Sequence, residues 1–519
     1  MELHNFLLDI ANYPGERGSV EYSETHASRV YLTREHVYKI KKPVNFGFLD
    51  FTTLEQRRHF CAEEVRLNRQ FAGDAAPHLR VLALHYDGAH YSWGGAGDIV
   101  EYAVLMRRLP AARMLSRLLD ENSPELPALI ETLAPLLAHI HAAAPQAAAS
   151  FDDAASVAFN WRENFEQTAP FAPECISRQA LAAAQRLVGE FLEKNMSLVQ
   201  RRQTGGWVRQ VHGDLHSEHI CFTDPIQIYD CIEFNERFRT SDIFCDIAFL
   251  MMDLQARGRL DLAQQLESGW RANIDAGEGA ETLLPFYKSY RAWVRGKVAA
   301  FAMAQQPQGS KAHEEQHTRS RHYLNLALGC MLRPTLILTC GLMGSGKSFF
   351  ARHLAAAAGA EIVRSDEVRK KRAGIPETQK VHVPFGSGLY DKETTARTYA
   401  ALLESAQALL RAGRSVVVDA AFSKAAQRAP FFELASQLGV PLQLVHVHCD
   451  DATLRQRLVQ RSAEGRDVSD GRLEILNAQR QSFEAPENAL RLDATRDVQE
   501  NVCQALGDIL ERQDTAFQK

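Results

Sequence analysis

Two clusters in this 519-residue chain carry residue types and spacings suited to phosphate chemistry. The first is Gly341–Ser348, which reads Gly-Leu-Met-Gly-Ser-Gly-Lys-Ser. Gly341, Gly344 and Gly346, with Ser345 among them, let backbone N–H groups fold into a nest around an anion. Lys347 is placed to reach terminal phosphates, and the Ser348 hydroxyl can ligate Mg²⁺. The flanks agree with this reading. Leu336–Thr339 is short and apolar enough for a buried parallel strand. Phe349–Ala358 is rich in helix formers and closed by Gly359. Strand, G-x-x-x-x-G-K-S and helix together make a phosphate loop that binds a nucleoside triphosphate.

The second cluster is His212-Gly213-Asp214-Leu215-His216-Ser217-Glu218-His219, followed by Tyr229-Asp230-Cys231-Ile232-Glu233-Phe234 and, later, Asp242 and Asp246. Asp214 falls in a loop bordered by β-type residues, and Asp230 ends an expected strand at 226–229. Two carboxylates so placed suit base and metal roles in phosphoryl transfer. The spacing of His212, His216 and His219 also permits a transition-metal cluster, although no helix brings the three rings together.

These groups need elements to position them. Val30–Lys41 reads as a hairpin of two β-rich runs, with Lys39 and Lys41 on one face of its second strand. A helix follows, opened by a capping box at Thr52-Thr53-Leu54-Glu55. On it Glu64 shares a face with Phe60, Leu67, Asn68 and Phe71. A carboxylate there needs a partner, and a lysine of the preceding strand supplies one; neighbouring Glu63 is the competing choice. Strands are expected at 81–85 and 100–107, then mostly helical text. The basic stretch 286–298 reads as a solvated helix face.

His-Gly-Asp followed by the Tyr-Asp-Cys-Ile-Glu-Phe strand resembles the aminoglycoside phosphotransferase branch of the protein-kinase-like fold, over roughly residues 20–300. The resemblance implies a bilobal ATP site with its hinge near Met106–Leu109. It makes Asp214 the catalytic base, Asp230 a metal ligand, Lys39 the phosphate-binding lysine and Glu64 its ion-pair partner. One position departs from the pattern. His219 stands where that family places a metal-binding Asn, and imidazole suits softer ions than Mg²⁺. No glycine-rich loop occupies Ser23–Val30.

Beyond the phosphate loop, Glu361–Arg364 reads as a strand leading to Asp366 and Arg369. Arg414–Ala420 contains a buried strand ending in Asp419, a Walker-B-like metal ligand. A strand at 443–448 precedes Arg455, Arg457 and Arg461, with Arg466 beyond. Arg457 and Arg461 are four apart, a spacing that puts both on one helix face for a lid closing on the triphosphate. Alternating strands and helices make this a parallel α/β sheet. The Asp366-x-x-Arg369 pair resembles the phage polynucleotide kinase branch, with gluconate kinases and zeta toxins related, and implies Asp366 as base toward the acceptor hydroxyl. Both halves together resemble a bacterial family of fused phosphotransferase and P-loop kinase-like proteins.

The remaining bounds fit. The chain is long enough for several domains at about 150 residues each. A net charge of −5 leaves no electrostatic footprint for nucleic acid. Nine cysteines without a C-x-x-C pair indicate reduced thiols. The N-terminus lacks signal-peptide character, and no uninterrupted apolar run approaches the ~18 residues of a membrane span. The expectation is a cytoplasmic, two-domain protein. An α+β protein-kinase-like bilobal domain occupies residues 1–325, and an α/β P-loop kinase domain with a parallel sheet occupies 333–519, with a linker around 305–321. Its function would be ATP- and Mg²⁺-dependent transfer of phosphate to a hydroxyl of a small molecule or nucleotide. Two rivals stand beside it: a regulatory ATP-binding protein with a pseudokinase sensor and a P-loop switch, and a toxin-like nucleotide-sugar kinase.

Overall fold

The computed structural model describes residues 2–47, 49–376, 391–464 and 473–513. The chain divides into two compact units, Met1–Ser156 with Leu198–Glu278, and Val157–Ser197 with Gly279–Lys519.

The first unit opens with a six-stranded antiparallel sheet. Its strands are β1 (Glu21–Glu24), β2 (Ser28–Leu32), β3 (His36–Lys41), β4 (His78–Tyr86), β5 (Tyr91–Trp93) and β6 (Asp98–Arg107), in the order β1-β2-β3-β6-β4-β5. Alternation along β3 sorts its side chains. Tyr38 and Ile40 join Tyr31, Leu84 and Leu105 in a core on one face, while Lys39 and Lys41 point to the other. That other face is covered by α1 (Leu54–Ala72), whose Cys61 and Val65 pack with Val104 and Met106.

The capping box of α1 lies one residue later than expected. Thr53 and Gln56 exchange the two bonds, because the Thr52 hydroxyl is already donated to Asp50, 2.7 Å away. Glu63 is not the core partner either; it pairs with Arg66 near the surface.

The rest of the unit is mainly helical. One of its helices, α2 (Leu126–Ala143), is long and apolar enough to cross a membrane by length and composition. It is not an uninterrupted apolar run, since Glu131, Thr132, His139 and His141 fall within it. Leu126, Ile130, Leu133, Leu137 and His141 of α2 are buried, and α2 packs against α4 (Leu260–Ala272). Packed against α4 as well is α3 (Ile243–Ala256), buried over nearly its whole length.

The second unit holds a five-stranded parallel sheet: β7 (Leu336–Cys340), β8 (Glu361–Arg364), β9 (Val416–Asp419), β10 (Leu442–His448) and β11 (Leu490–Asp493), in the order β8-β9-β7-β10-β11. Its central strands read as continuous apolar runs because helices cover both faces. Leu336, Leu338, Val416, Val418 and Leu444 share one core. The stretch around 305–321 is not a linker. Most of it belongs to α6 (Lys311–Cys330), capped by Ser310 and packed on α5 (Ala280–Ala304). Its Gln, His and Glu residues give it the look of a linker, yet Leu324, Leu326 and Leu328 are fully buried. The basic stretch 286–298 also departs from a solvated face. Arg291 is buried, and Lys297 donates to Asn164 and Gln167, both 2.7 Å away.

Candidate phosphoryl-transfer sites

In the first unit, residues from β3, α1 and the 212–233 segment meet at one charged centre. Glu64, with no exposed side-chain surface, is gripped by two ammonium groups: Lys39 Nζ 2.9 Å from Oε1 and Lys41 Nζ 2.7 Å from Oε2. Lys39 also donates to Asp230 Oδ1 at 2.6 Å, and Lys41 donates to Glu233. Burial raises the cost of ionising Glu64, but Lys39 and Lys41 outweigh it and hold its carboxyl well below the usual range. For Asp230 burial acts the same way, and Lys39 with His219 bring the carboxyl below its ordinary value. Glu233 has burial against it and mainly Lys41 in its favour, so its carboxyl is pushed up. Lys41 and Glu233 fall inside the stretches quoted from the sequence, but the resemblance assigns neither of them a role. The parity of Lys39 and Lys41 along the strand is the available signal.

Asp230 adopts φ +61°, a left-handed conformation costly for a non-glycine residue and typical of functional positions. Asp214 lies in the loop ahead of it, held by a chain of hydrogen bonds. Trp270 Nε1 donates to His141 Nδ1 at 3.0 Å, and His141 Nε2 donates to Asp246 at 3.2 Å. Asp246 then accepts the backbone N–H groups of His212 (3.2 Å) and Gly213 (2.8 Å). Gly213 sits at φ +81°, where an added Cβ would meet the Phe238 carbonyl oxygen at 2.9 Å. Trp270 carries no sequence signal, since it is remote in the chain and belongs to no motif.

The three histidines do come close, against the expectation that nothing gathers them. The His216 and His219 rings lie 4.1 Å apart and those of His212 and His219 5.9 Å apart. His212, however, spends both nitrogens: Nε2 donates to the Tyr229 carbonyl at 2.8 Å and Nδ1 accepts from Asp214 N–H at 3.3 Å. His219 donates Nδ1–H to the Asp214 carbonyl at 2.9 Å, and its Nε2 stands 3.6 Å from Asp230 Oδ2. Burial, with His216 beside it, pushes His219 down to about 4, so it is neutral at pH 7.

In the second unit the phosphate loop joins β7 to α7 (Lys347–Ala358), at the carboxyl end of the central strand. Gly341, Gly344 and Gly346 all take positive φ. A Cβ on Gly341 would come within 2.3 Å of the Val447 carbonyl oxygen. Among the described residues the buried Ser345 hydroxyl has no hydrogen-bond partner, an open polar atom inside the nest. Lys347 Nζ donates to the Leu342 carbonyl at 2.9 Å, and Ser348 follows it on the first turn of the helix.

Asp419, at the end of β9, accepts from Thr339 Oγ1 at 3.2 Å and pairs with Arg364 Nε at 3.4 Å. Arg364 is inconspicuous in the sequence, where it reads as an ordinary strand-end cation. Asp366 and Arg369 lie on α8 (Ser365–Arg372), with Arg369 donating to Asp366 at 3.1 Å. Burial pushes the Asp366 carboxyl up, Arg369 opposes it, and Asp419 and Lys347 are both near enough to be felt.

Arg457 lies on α9 (Asp451–Glu464), and its guanidinium holds the Ser345 and Ala494 carbonyls at 3.3 and 2.8 Å, bracing the loop from behind. Arg461 shares that helix, but its side chain is outside the described residues, and Arg466 lies outside them altogether. Beside Gly346 a cavity of about 780 Å³ opens, lined by Phe349, Arg457, Ala494, Arg496 and Asp497 among others.

Comparison with known proteins gives one family match in each half of the chain. Residues 49–281 match the model of the phosphotransferase enzyme family, and residues 336–486 match that of an AAA domain. An uncharacterized protein of Mycobacterium tuberculosis is 28% identical over 456 residues, spanning 87% of this chain and 88% of its own length. Among solved structures, a choline/ethanolamine kinase family protein from Mesorhizobium loti is 12% identical and covers 69% of this chain and 100% of its own, with a TM-score of 0.40. A gluconokinase from Sinorhizobium meliloti 1021 is 21% identical and covers 34% of this chain and 93% of its own, with a TM-score of 0.26. One chain thus carries a region that matches the phosphotransferase enzyme family followed by a region that matches an AAA domain, a pairing that supports a kinase-type phosphotransferase.

Proposed function

We propose that the chain transfers the γ-phosphate of ATP to a hydroxyl of a small molecule or nucleotide, with one nucleotide site in each unit. The observation that carries this reading is the glycine nest with its buried, unpartnered Ser345 hydroxyl and Lys347 at its mouth, felt electrostatically by Asp366. A nest without bound anion leaves such a polar atom unsatisfied, and a phosphate oxygen satisfies it. Lys347 then exchanges the Leu342 carbonyl for phosphate, and the nucleoside fits the cavity beside Gly346. Asp366, its carboxyl raised above the ordinary aspartate value by burial, takes the proton of the acceptor hydroxyl. Arg369 orients it.

Ser348 and Asp419 would hold a divalent ion in this unit, and Asp230 with His219 would hold one in the first. Such an ion, when bound, neutralises charge developing on the β- and γ-phosphates. In the first unit Asp214 is the base. Lys39, anchored by Glu64, turns from Asp230 to phosphate, while Lys41 keeps Glu64 in place. The nine free cysteines suit a reducing, cytoplasmic setting. A second reading, in which the first unit senses nucleotide without turnover, is favoured by His219 alone. The test is an acceptor screen with γ-labelled ATP on the full chain, comparing wild type with Asp366→Asn and Asp214→Asn. Label transferred by wild type and lost in these variants supports the proposal; transfer unaffected by either substitution contradicts it.

A further inference from the structure

We propose that His219 Nε2 and Asp230 Oδ2 together bind a first-row divalent ion, probed here as Mn²⁺, in preference to Mg²⁺. The inference rests on reading the first unit as a nucleotide-dependent phosphotransferase and concerns the ion that this unit accepts.

The ring orientation comes first. A backbone carbonyl only accepts, so the 2.9 Å bond between His219 Nδ1 and the Asp214 carbonyl puts the proton on Nδ1. Nε2 is left with its lone pair, 3.6 Å from Asp230 Oδ2. Donation of the far ring N–H to a carbonyl is the support that metal-bound histidines almost always have. Two ligands about 2.1 Å from a shared ion, at tetrahedral or octahedral angles, stand about 3.0–3.4 Å apart, so this pair needs only a small contraction.

Charge points the same way. Glu64, Asp230 and Glu233 face two lysines, Lys39 and Lys41, which leaves one negative charge in excess before Asp214 is counted. Lys39 holds Asp230 Oδ1, so Oδ2 is the oxygen turned toward His219. His219 is itself 14% exposed, and its ring lies 4.1 Å from that of His216 at a tilt of 38°, so its direction is set by packing.

Two neighbouring arrangements fit less well. His216 Nδ1 accepts from Glu218 N–H at 3.3 Å, which turns Nε2–H toward Asp214 Oδ2, 3.4 Å away, and uses the lone pair that a metal would need. Glu64, His78 and Asp230 also converge, but the Lys39 ammonium already stands between Glu64 and Asp230. The pair that remains supplies one imidazole nitrogen and one carboxylate. Mg²⁺ prefers an all-oxygen octahedron, and the nitrogen ligand favours Mn²⁺ and later ions.

The experiment uses the full chain carrying Lys347→Ala, so that the phosphate loop contributes no nucleotide-bound ion. Mn²⁺ alone is titrated below one equivalent, and the bound ion is read by electron spin echo modulation. A ¹⁴N coupling from a directly bound imidazole is expected. It should vanish in His219→Asn, with Mn²⁺ affinity falling at least about tenfold relative to Mg²⁺. Absence of Mn²⁺ binding, absence of ¹⁴N coupling, or its persistence in His219→Asn would each overturn the proposal. If His219→Asn does not fold, Asp230→Asn takes its place: Mn²⁺ affinity should drop at least about tenfold, and unchanged affinity overturns the proposal equally. Nucleotide binding to the same Lys347→Ala protein is measured separately. A ¹⁴N-coupled ion without nucleotide binding leaves the ion site standing and removes the phosphotransferase reading of this unit.

Discussion

At the scale of single residues, the two units treat their buried carboxyl groups differently. Asp366 is crowded by burial, with Arg369 donating to it, and its carboxyl is raised. A raised base is protonated, and idle, below its elevated value, so the acidic limb of the pH–rate profile for acceptor phosphorylation should lie above the ordinary aspartate range. Asp366→Asn should lower acceptor phosphorylation roughly 10²–10⁴-fold with ATP affinity little changed. A loss confined to ATP binding, measured by titration calorimetry, would make Asp366 a structural residue instead. In the first unit, Lys41 is buried between Glu64 and Glu233. Lys41→Met leaves Glu233 without its cation and Glu64 with only Lys39, and should cost about 3–5 kcal/mol in urea unfolding. A cost under about 1 kcal/mol would show that the pair relaxes into water.

At the scale of elements, contiguity decides which parts of the site are legible in the sequence. The phosphate loop is legible because strand, glycines, lysine and helix follow one another, so local chemistry alone specifies them. His212–Asp214 and Tyr229–Phe234 are legible for the same reason. What stays hidden is assembled over long separations: Lys39 meets Asp230 across 191 positions and Lys41 meets Glu233 across 192. Trp270, supporting Asp246 through His141, has no local mark at all. The capping box slips by one residue because a side chain of the preceding turn, Asp50, competes for Thr52. Close helix packing is equally hidden. In the second unit an added Cβ on Gly329 of α6 would fall 1.9 Å from the Ala357 carbonyl oxygen on α7. Gly329→Ala should therefore destabilise this unit by about 1–3 kcal/mol, read as a lowered thermal midpoint. An unchanged midpoint would mean that the two helices part without cost.

For the whole molecule, the fold class read from the sequence holds, and the families matched agree with it. Compactness, however, gathers α5, α6 and residues 157–197 with the P-loop sheet. Composition conceals this, because α6 is polar on its outer face and apolar within. A fragment starting at residue 333 strips α6 from α7 and exposes the surface that Leu324, Leu326 and Leu328 cover. It should be less soluble and unfold less cooperatively than residues 279–519, and equal behaviour would show that α6 adds nothing to this unit.

The central claim is that both units transfer phosphate from ATP, and γ-label transfer by the full chain tests it most directly. Wild type, Lys347→Ala, Asp214→Asn and the double variant are compared with one acceptor mixture, in the presence of Mg²⁺ and Mn²⁺. Lys347 donates to the Leu342 carbonyl of the phosphate loop, and Asp214 lies in a solvent-reachable loop, so the fold should survive both changes. The account predicts that each single variant loses the transfer belonging to its own unit and that the double variant transfers no label above background. A double variant that transfers label as wild type does would contradict it.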